Sequence, residues 1–458
     1  MEVFRQLAVR IDGLGQAKGS GCIYELGNAK KDIKYVLTAQ HCLTNDLNKR
    51  NFIKEEFKDI KISDCDDSEL HIVSINIPQD CNLDFAVIEV QTSKKYKNIT
   101  ILNPKSNMTC TYFGFPKYLQ NDQDPGEPMK VDVLEVLHSG YMTIQNVHGH
   151  LDDGESDAKD NTVGFSGSGI YFSDETNFYL IGLLVRLRGT KGTHGKLQGI
   201  KIDVVNNFLK EQQLCELIPY ELSQFDMYLN EILAEQDKKV KSIIRTSFRD
   251  KIINIDPLFI WGKLQEKLFI PYNPNGNLLN VKLWEGWLRF IIYICLYRDV
   301  RLEEGNINQH IFLEENSGSN KRLYYSEAKR MATFVSDLYT EAYNDIKDND
   351  IVFVNSENIK GPKAPNQDVV HSIVLQIDDV MFEYGIDIST DNEYKKINVI
   401  HIDYILEELE TELIQFMACE RSTREIEEKF IECLTDLFKV YENTTESEGD
   451  AKEIGINN

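Results

Sequence analysis

The chain has 458 residues and a formal net charge of −24. That length supplies two or three domains with ample material for a core, while acidity on this scale excludes direct nucleic-acid binding through phosphates, which takes a basic surface. Nine cysteines, scattered without C-x-x-C spacing, fit reduced thiols in a cytoplasm rather than a disulfide framework.

The opening MEVFRQLAVRIDG has neither an apolar h-region nor a cleavage site, so the expected location is cytoplasmic. Short strand-forming runs between turn signals then recur to about residue 210: 20-SGCIYEL, 34-KYVLTA, 68-SELHIVSINI, 83-LDFAVIEV, 98-NITIL, 109-TCTYFGF, 129-MKVDVLEVL, 169-GIYF, 178-FYLIGLLVRL and 197-LQGIKI. About ten short strands in such a stretch predict an antiparallel barrel or sandwich. In LDFAVIEV, Asp84 opens a strand that buries Ala86 and Ile88 on one face or Phe85, Val87 and Val90 on the other.

Beyond residue 210 the hydrophobic period lengthens. Helices are predicted at 281–299 and 326–347, the latter with Met331, Val335, Leu338 and Ile346 near one face. The apolar run from Phe290 to Tyr297 is too short to span a bilayer and follows Glu285 and Arg289, so it reads as a core helix and no membrane contact is expected. A strand, DIVFV, follows at 350–354, then a loop with GPKAP at 361–365 and two closing helices. Ser422 and Glu425 form a capping box ahead of the second. The PYNPNG stretch at 271–276 is the clearest inner boundary, and the acidic tail has a disordered composition.

Three places in the strand-rich half carry chemistry. YVLTAQHCLT ends a strand in His41, an imidazole on the turn beyond it; Asp84 stands before another strand; and Ser166 in VGFSGSGIYF lies between Gly164 and Gly167. Glycines allow a tight turn whose N–H groups point into one small space, which acyl transfer needs beside a hydroxyl nucleophile. His41, then Asp84, then Ser166, in a chain of short strands, resembles the chymotrypsin-like (trypsin-like) serine proteases. The resemblance is carried by G19-S20-G21 leading into a strand, TAQHC, D-F-A-V and G-F-S-G-S-G, and covers roughly residues 3–212.

It implies an all-β double six-stranded antiparallel barrel and a serine endopeptidase with protein or peptide substrates. Ser166 is then the nucleophile, His41 the general base and acid, Asp84 its orienting carboxylate, and the Gly164 and Ser166 N–H groups the oxyanion hole. No metal or cofactor is implied. Asp160, Val185, Leu187 and Gly199 fall where the family places its specificity pocket: Asp160, at the place of the acid that selects Lys or Arg at P1, implies a basic residue there, whereas Arg186, Leu187 and Arg188 would narrow the pocket or favour an acidic substrate. Phe165 stands where secreted members keep the Asp of zymogen activation, so that route is not expected. Cys42 lacks the family's usual partner, because Cys22 faces elsewhere on its strand, and is expected to be a free, partly buried thiol.

Two other groups read as structural. HGHLDD, at 148–153, offers metal-type ligands without a fixed spacing, and 283-LWEGWLRFIIYICLYRD reads as core.

The expected domains are 1–212, the protease; 213–275, a helical connector; 276–442, a mainly α domain with some β for regulation or partner binding; and 443–458, the acidic disordered tail. RLYYSEAKRM with the helix, strand and helix pair after it resembles the C-terminal domains of bacterial conflict-system effectors of the ABC-three-component class. This resemblance implies that 276–442 docks onto an NTPase or sensor partner that gates the protease in antiviral (anti-phage) defence. The alternative is a catalytically silent trypsin fold kept as a peptide-binding scaffold. An acyl-hydrolase acting on esters would use the same machinery.

Overall fold

The computed structural model describes residues 2–25, 32–97, 99–119, 122, 125–147, 163–174, 177–187, 196–234, 236–359, 364–365, 367–375, 377, 395–417 and 421–443. The chain forms two compact units, Met1–Tyr220 and Glu221–Asn458.

The first unit is built from two sheets that are antiparallel except where the short strand Thr100–Ile101 pairs in parallel with its neighbours. Strands β1 (Ala8–Asp12), β2 (Lys18–Tyr24), β3 (Ile33–Thr38), β4 (Lys61–Ser63), β5 (His71–Asn76) and β6 (Ala86–Gln91) form a sheet in the order β4-β1-β2-β3-β6-β5. This sheet is a half-barrel: its end strands meet only near the single bridge Ser63↔Glu69, because β4 has three residues. The next strands are β7 (Thr100–Ile101), β8 (Thr109–Gly114), β9 (Glu127–Val136), β10 (Tyr141–Asn146), β11 (Gly169–Ser173), β12 (Phe178–Leu187), β13 (Lys196–Lys201) and β14 (Ile218–Pro219). Six of them run β11-β8-β9-β10-β13-β12, and β12 pairs back to β11, closing a barrel. The double-barrel expectation holds, with one barrel closed and the other open.

Strand alternation divides the core. Ala86, Ile88 and Val90 of β6 enter the first barrel with Val36 and Ile23. Phe85 and Val87 join Tyr35, Leu37 and Cys22 in a layer shared with Leu180, Leu183 and Ile200 of the second barrel. Both faces of LDFAVIEV are therefore buried, and Val90 belongs with Ala86 and Ile88, as a period of two requires. Helix α1 (Ile202–Glu211) adds Val205, Phe208 and Leu209 to that shared layer.

The second unit is helix-rich around a parallel sheet of β15 (Lys321–Tyr325), β16 (Ile351–Asn355) and β17 (Asn398–His401), in that order. All five residues of β16 are buried, which is why Ile351–Val354 form a continuous apolar run. Val352 and Val354 pack with Phe334, Val335 and Leu338 of α3 (Met331–Glu341). On the opposite side Phe353 meets Phe290 of α2 (Val281–Arg298) and Phe438 of α4 (Thr423–Asn443) at ring separations of 5.0 and 5.7 Å. From Leu283 to Leu296, α2 is buried at nearly every position, as its sequence predicts for a core helix.

The capping box ahead of α4 is formed: the Ser422 N–H donates to Glu425 Oε2 at 2.8 Å, and the Glu425 N–H to Ser422 Oγ at 3.3 Å. The PYNPNG stretch lies within the second unit. Among the described residues no helix is long and apolar enough to cross a membrane. The tail from residue 444 lies outside the described residues.

Candidate active site

Alternation along β3 sends Val36 into the first barrel and Leu37 into the shared layer, so the chain leaves the strand with Thr38 and Ala39 buried. A single short turn, Gln40–Cys42, follows. Gln40 is buried and donates through Nε2 to the Lys49 carbonyl at 2.8 Å, fixing the turn from below. His41, next in sequence, keeps 31% of its side chain exposed.

Asp84 reaches the same turn from the segment before β6, anchored by the fully buried Phe85. Its Oδ2 lies 2.8 Å from His41 Nδ1, and its Oδ1 accepts the His41 backbone N–H at 3.1 Å. Two contacts from one carboxylate fix both the ring's tilt and its protonated nitrogen. Burial acts to raise the Asp84 carboxyl, but its hydrogen bond to His41, the His41 charge and N–H, and the nearby Arg186 charge together hold it below its ordinary value.

Ser166 lies on the turn entering β11. That turn has two left-handed residues, Gly164 at φ +97 and Gly167 at φ +87. A Cβ on Gly167 would stand 2.0 Å from the Ser20 carbonyl and 2.3 Å from Thr38 Oγ1; only glycine lets the turn press this closely against the end of β3. The Ser166 carbonyl accepts from the Ser20 N–H at 2.8 Å and from the Cys42 thiol at 3.2 Å. The Ser166 turn of one barrel is thus tied to the residue beside His41 in the other. Among the described residues no hydrogen bond joins the Ser166 hydroxyl to the His41 ring.

Carbonyls within the turn are tethered. Val163 O accepts from the Lys117 N–H at 2.9 Å, and Phe165 O from the Ser168 N–H at 3.1 Å. In a trans peptide C=O and N–H point opposite ways, so these bonds send the Gly164 and Ser166 N–H groups to the other side, where neither meets an acceptor among the described residues. The Gly164 carbonyl accepts from Ser20 Oγ at 2.6 Å, and that hydroxyl accepts from the Phe115 N–H at 2.8 Å. Ser20 is fully buried, and its supporting role escaped the sequence reading: G-S-G was visible as a motif, but nothing local says what the hydroxyl touches.

Phe165 is buried among the second barrel's apolar residues, edge-on to Tyr112 with ring centroids 5.3 Å apart. A packed ring holds the turn at the place where an ion pair was not expected. Cys42 is free and completely buried, and burial pushes its thiol up to about 12. Cys22, also free, points into the shared layer instead.

Of the residues assigned to a specificity pocket, Asp160 lies outside the described residues, as do Arg188 and the HGHLDD stretch. Val185 is fully buried in the shared layer, and Leu187 packs beside the second barrel's core. A Cβ on Gly199 would meet Ile170 and Met142. Arg186 is the exposed residue of this strand segment. Its Nε donates to Gln198 Oε1 at 2.9 Å, and its guanidinium lies 5.6 Å from the centre of the Tyr141 ring. Among the described residues no group of three or more His, Cys, Asp or Glu is placed to hold a metal ion.

Residues 199–411 match the family model of C-terminal domain 4 of the ABC-three component (ABC-3C) systems, a span that starts within β13. The resemblance to that class is thereby met on the C-terminal side. Among solved structures, the chain is similar to the Rv3671c protease in its inactive form, at 13% identity over 45% of this chain and 89% of that one, with a TM-score of 0.30. It is also similar to the serine endoprotease from Yersinia pestis, at 16% identity over 45% of this chain and 62% of that one, with a TM-score of 0.32. The second match therefore spans less than two thirds of the Yersinia pestis chain. No curated protein sequence matches.

Proposed function

We propose that the chain is a serine endopeptidase working through His41, Asp84 and Ser166. The observation that carries this reading is the two-point grip of Asp84 on His41, at 2.8 and 3.1 Å, beside a glycine turn that presents a serine. Ser166 Oγ attacks the scissile carbonyl while His41 Nε2 takes its proton, and Asp84 stabilises the imidazolium. The oxyanion is received by the Gly164 and Ser166 N–H groups. The C–N bond then breaks, the leaving amine takes the proton from His41, and water hydrolyses the acyl-enzyme by the same relay. Catalytic hydrogen bonds often close only around substrate, so a separated Ser166 and His41 is compatible with this role.

The match at 199–411 supports the second half of the proposal: the protease is an effector in a bacterial defence system, gated through 276–442 by a partner such as an NTPase or sensor. Free thiols throughout the described residues support a reducing, cytoplasmic setting. The rival is the silent peptide-binding scaffold, and on its side stands the absent hydrogen bond between Ser166 and His41.

A fluorophosphonate probe tests both. Labelling of wild type, lost in Ser166→Ala, is expected. Labelling confined to lysate of the producing cell would assign the gate to a partner; strong labelling and full activity of the purified chain alone would remove the gate; and no labelling in either setting would favour the scaffold.

A further inference from the structure

Strand β12 extends past its partner. Its ladder with β11 ends at Gly169↔Leu183, and Leu184 then bonds directly to the nucleophile turn, donating its N–H to Ser168 O at 2.8 Å and accepting the Gly167 N–H at 2.7 Å. From Val185 to Leu187, one edge remains paired with β13 while the edge on the side of the Ser166 turn has no partner strand among the described residues. An extended chain can add to such an edge through its main chain, leaving alternate side chains to be read by the flanking residues.

The residue at that edge is a cation. The β12–β13 register shifts between Leu184 and Arg186, the kind of irregularity that re-aims a side chain, and Arg186 emerges exposed while Val185 is buried. Its guanidinium is positioned twice, by Gln198 Oε1 at 2.9 Å and by the Tyr141 ring. Tyr141 in turn donates its hydroxyl to the carbonyl of Asn82, two residues before Asp84. Arg186 is thereby linked to the segment that carries Asp84, and its strand, through Leu184, to the turn that carries Ser166. At about 3.3 Å per residue it sits roughly 7 Å along the strand from Leu184, within side-chain reach of a substrate bound at Ser166. A held cation here is opposite in charge to a carboxylate, and its planar fork matches one.

We propose that Arg186 is a specificity residue that selects peptides carrying Asp or Glu within a few residues of the scissile bond. The inference rests on the serine-peptidase reading and names the substrate class for that site.

The test uses the full-length chain and two peptidyl phosphonate probes that differ only in Asp or Lys at the varied position, moved through the residues flanking the phosphonate. A fluorophosphonate without a peptide serves as control, under whichever condition, purified or in lysate, labels wild type. At one position the Asp probe is expected to react about tenfold faster than the Lys probe. Because this ratio is internal to each chain, it does not depend on absolute activity. Arg186→Glu should invert it, Arg186→Gln should bring it near one, and Arg186→Lys should restore part of it. An equal ratio in wild type and Arg186→Glu, with the fluorophosphonate reacting, overturns the assignment alone. No fluorophosphonate labelling under either condition overturns the peptidase reading and this inference together.

Discussion

Each unit holds an acid-base pair, and the two pairs behave oppositely. In the first, His41 and Asp84 meet at 2.8 Å with 31% and 14% of their side chains exposed. In the second, Arg322 Nε and Asp350 meet at 2.6 Å with 2% and 1% exposed. Burial acts to raise both carboxyls. At Asp84 the hydrogen bonds and charge of His41 prevail and the carboxyl is lowered; at Asp350 burial prevails over Arg322 and the carboxyl is raised. Among the described residues Arg322 Nη1 and Nη2 are left without a hydrogen-bond acceptor, while the Phe312 ring covers the guanidinium at 3.3 Å. A sealed pair with incomplete hydrogen bonding contributes little net stability, whereas a half-open pair can exchange a proton with a ligand. Access, more than the presence of opposite charges, separates a catalytic candidate from a structural contact.

The largest effect that would break this contrast is expected at Asp84. Asp84→Asn should lower kcat/KM on a cleavable peptide by on the order of 10⁴, because the ring loses its orientation and the stabiliser of its charged form. It should also remove a pH-dependent part of stability. The lowered carboxyl is worth most above its unfolded pKa, near 4, and that contribution disappears as pH falls through the lower folded value. Thermal melts of wild type and variant should therefore differ at neutral pH and converge in acid; a constant gap would refute the pairing.

Next comes the sealed pair. Arg322→Ala strands Asp350 without its cation, at a cost of about 3–5 kcal/mol by denaturant unfolding. Arg322→Met combined with Asp350→Leu should recover most of that loss. If the double replacement is as damaging as the single one, the pair stabilises more than its burial allows. The smallest effect belongs to the α4 capping box: Ser422→Ala should cost about 1 kcal/mol and leave the unfolding slope unchanged.

Much of this could be read along the chain, because local signals dominate where the elements are regular. The runs at 34-KYVLTA and 178-FYLIGLLVRL appear as β3 and β12, and DIVFV as β16. Six of the strands named above escaped: β1, β4, β10, β14, β15 and β17. The three residues of β4 are too few to show a period, and β10 is buried on both faces except at Gln145, so it has no alternation to see. The helix predicted over 326–347 is regular only from Met331 to Glu341, since residues before it extend from β15. At the site, His41, Asp84 and Ser166 were visible as motifs because each follows or precedes a strand within a few residues. Ser20 and Tyr141 had no such signal, and Arg186 was legible only through the resemblance, as a residue beside the family's specificity pocket.

What the sequence alone determined is which residues have the right chemistry: an imidazole at a strand end, a carboxylate before a strand, a serine between glycines, an apolar core helix and a capping box, all set by neighbours a few positions away. Tertiary structure decided which of them meet. Asp84 reaches His41 across 43 residues, Ser20 holds the Gly164 carbonyl across 144, and Arg186 takes its place beside Asp84 through Tyr141 and Asn82. These contacts depend on barrel register and on which face of each strand is buried, and a local pattern cannot encode a distance between chain segments that only packing brings together.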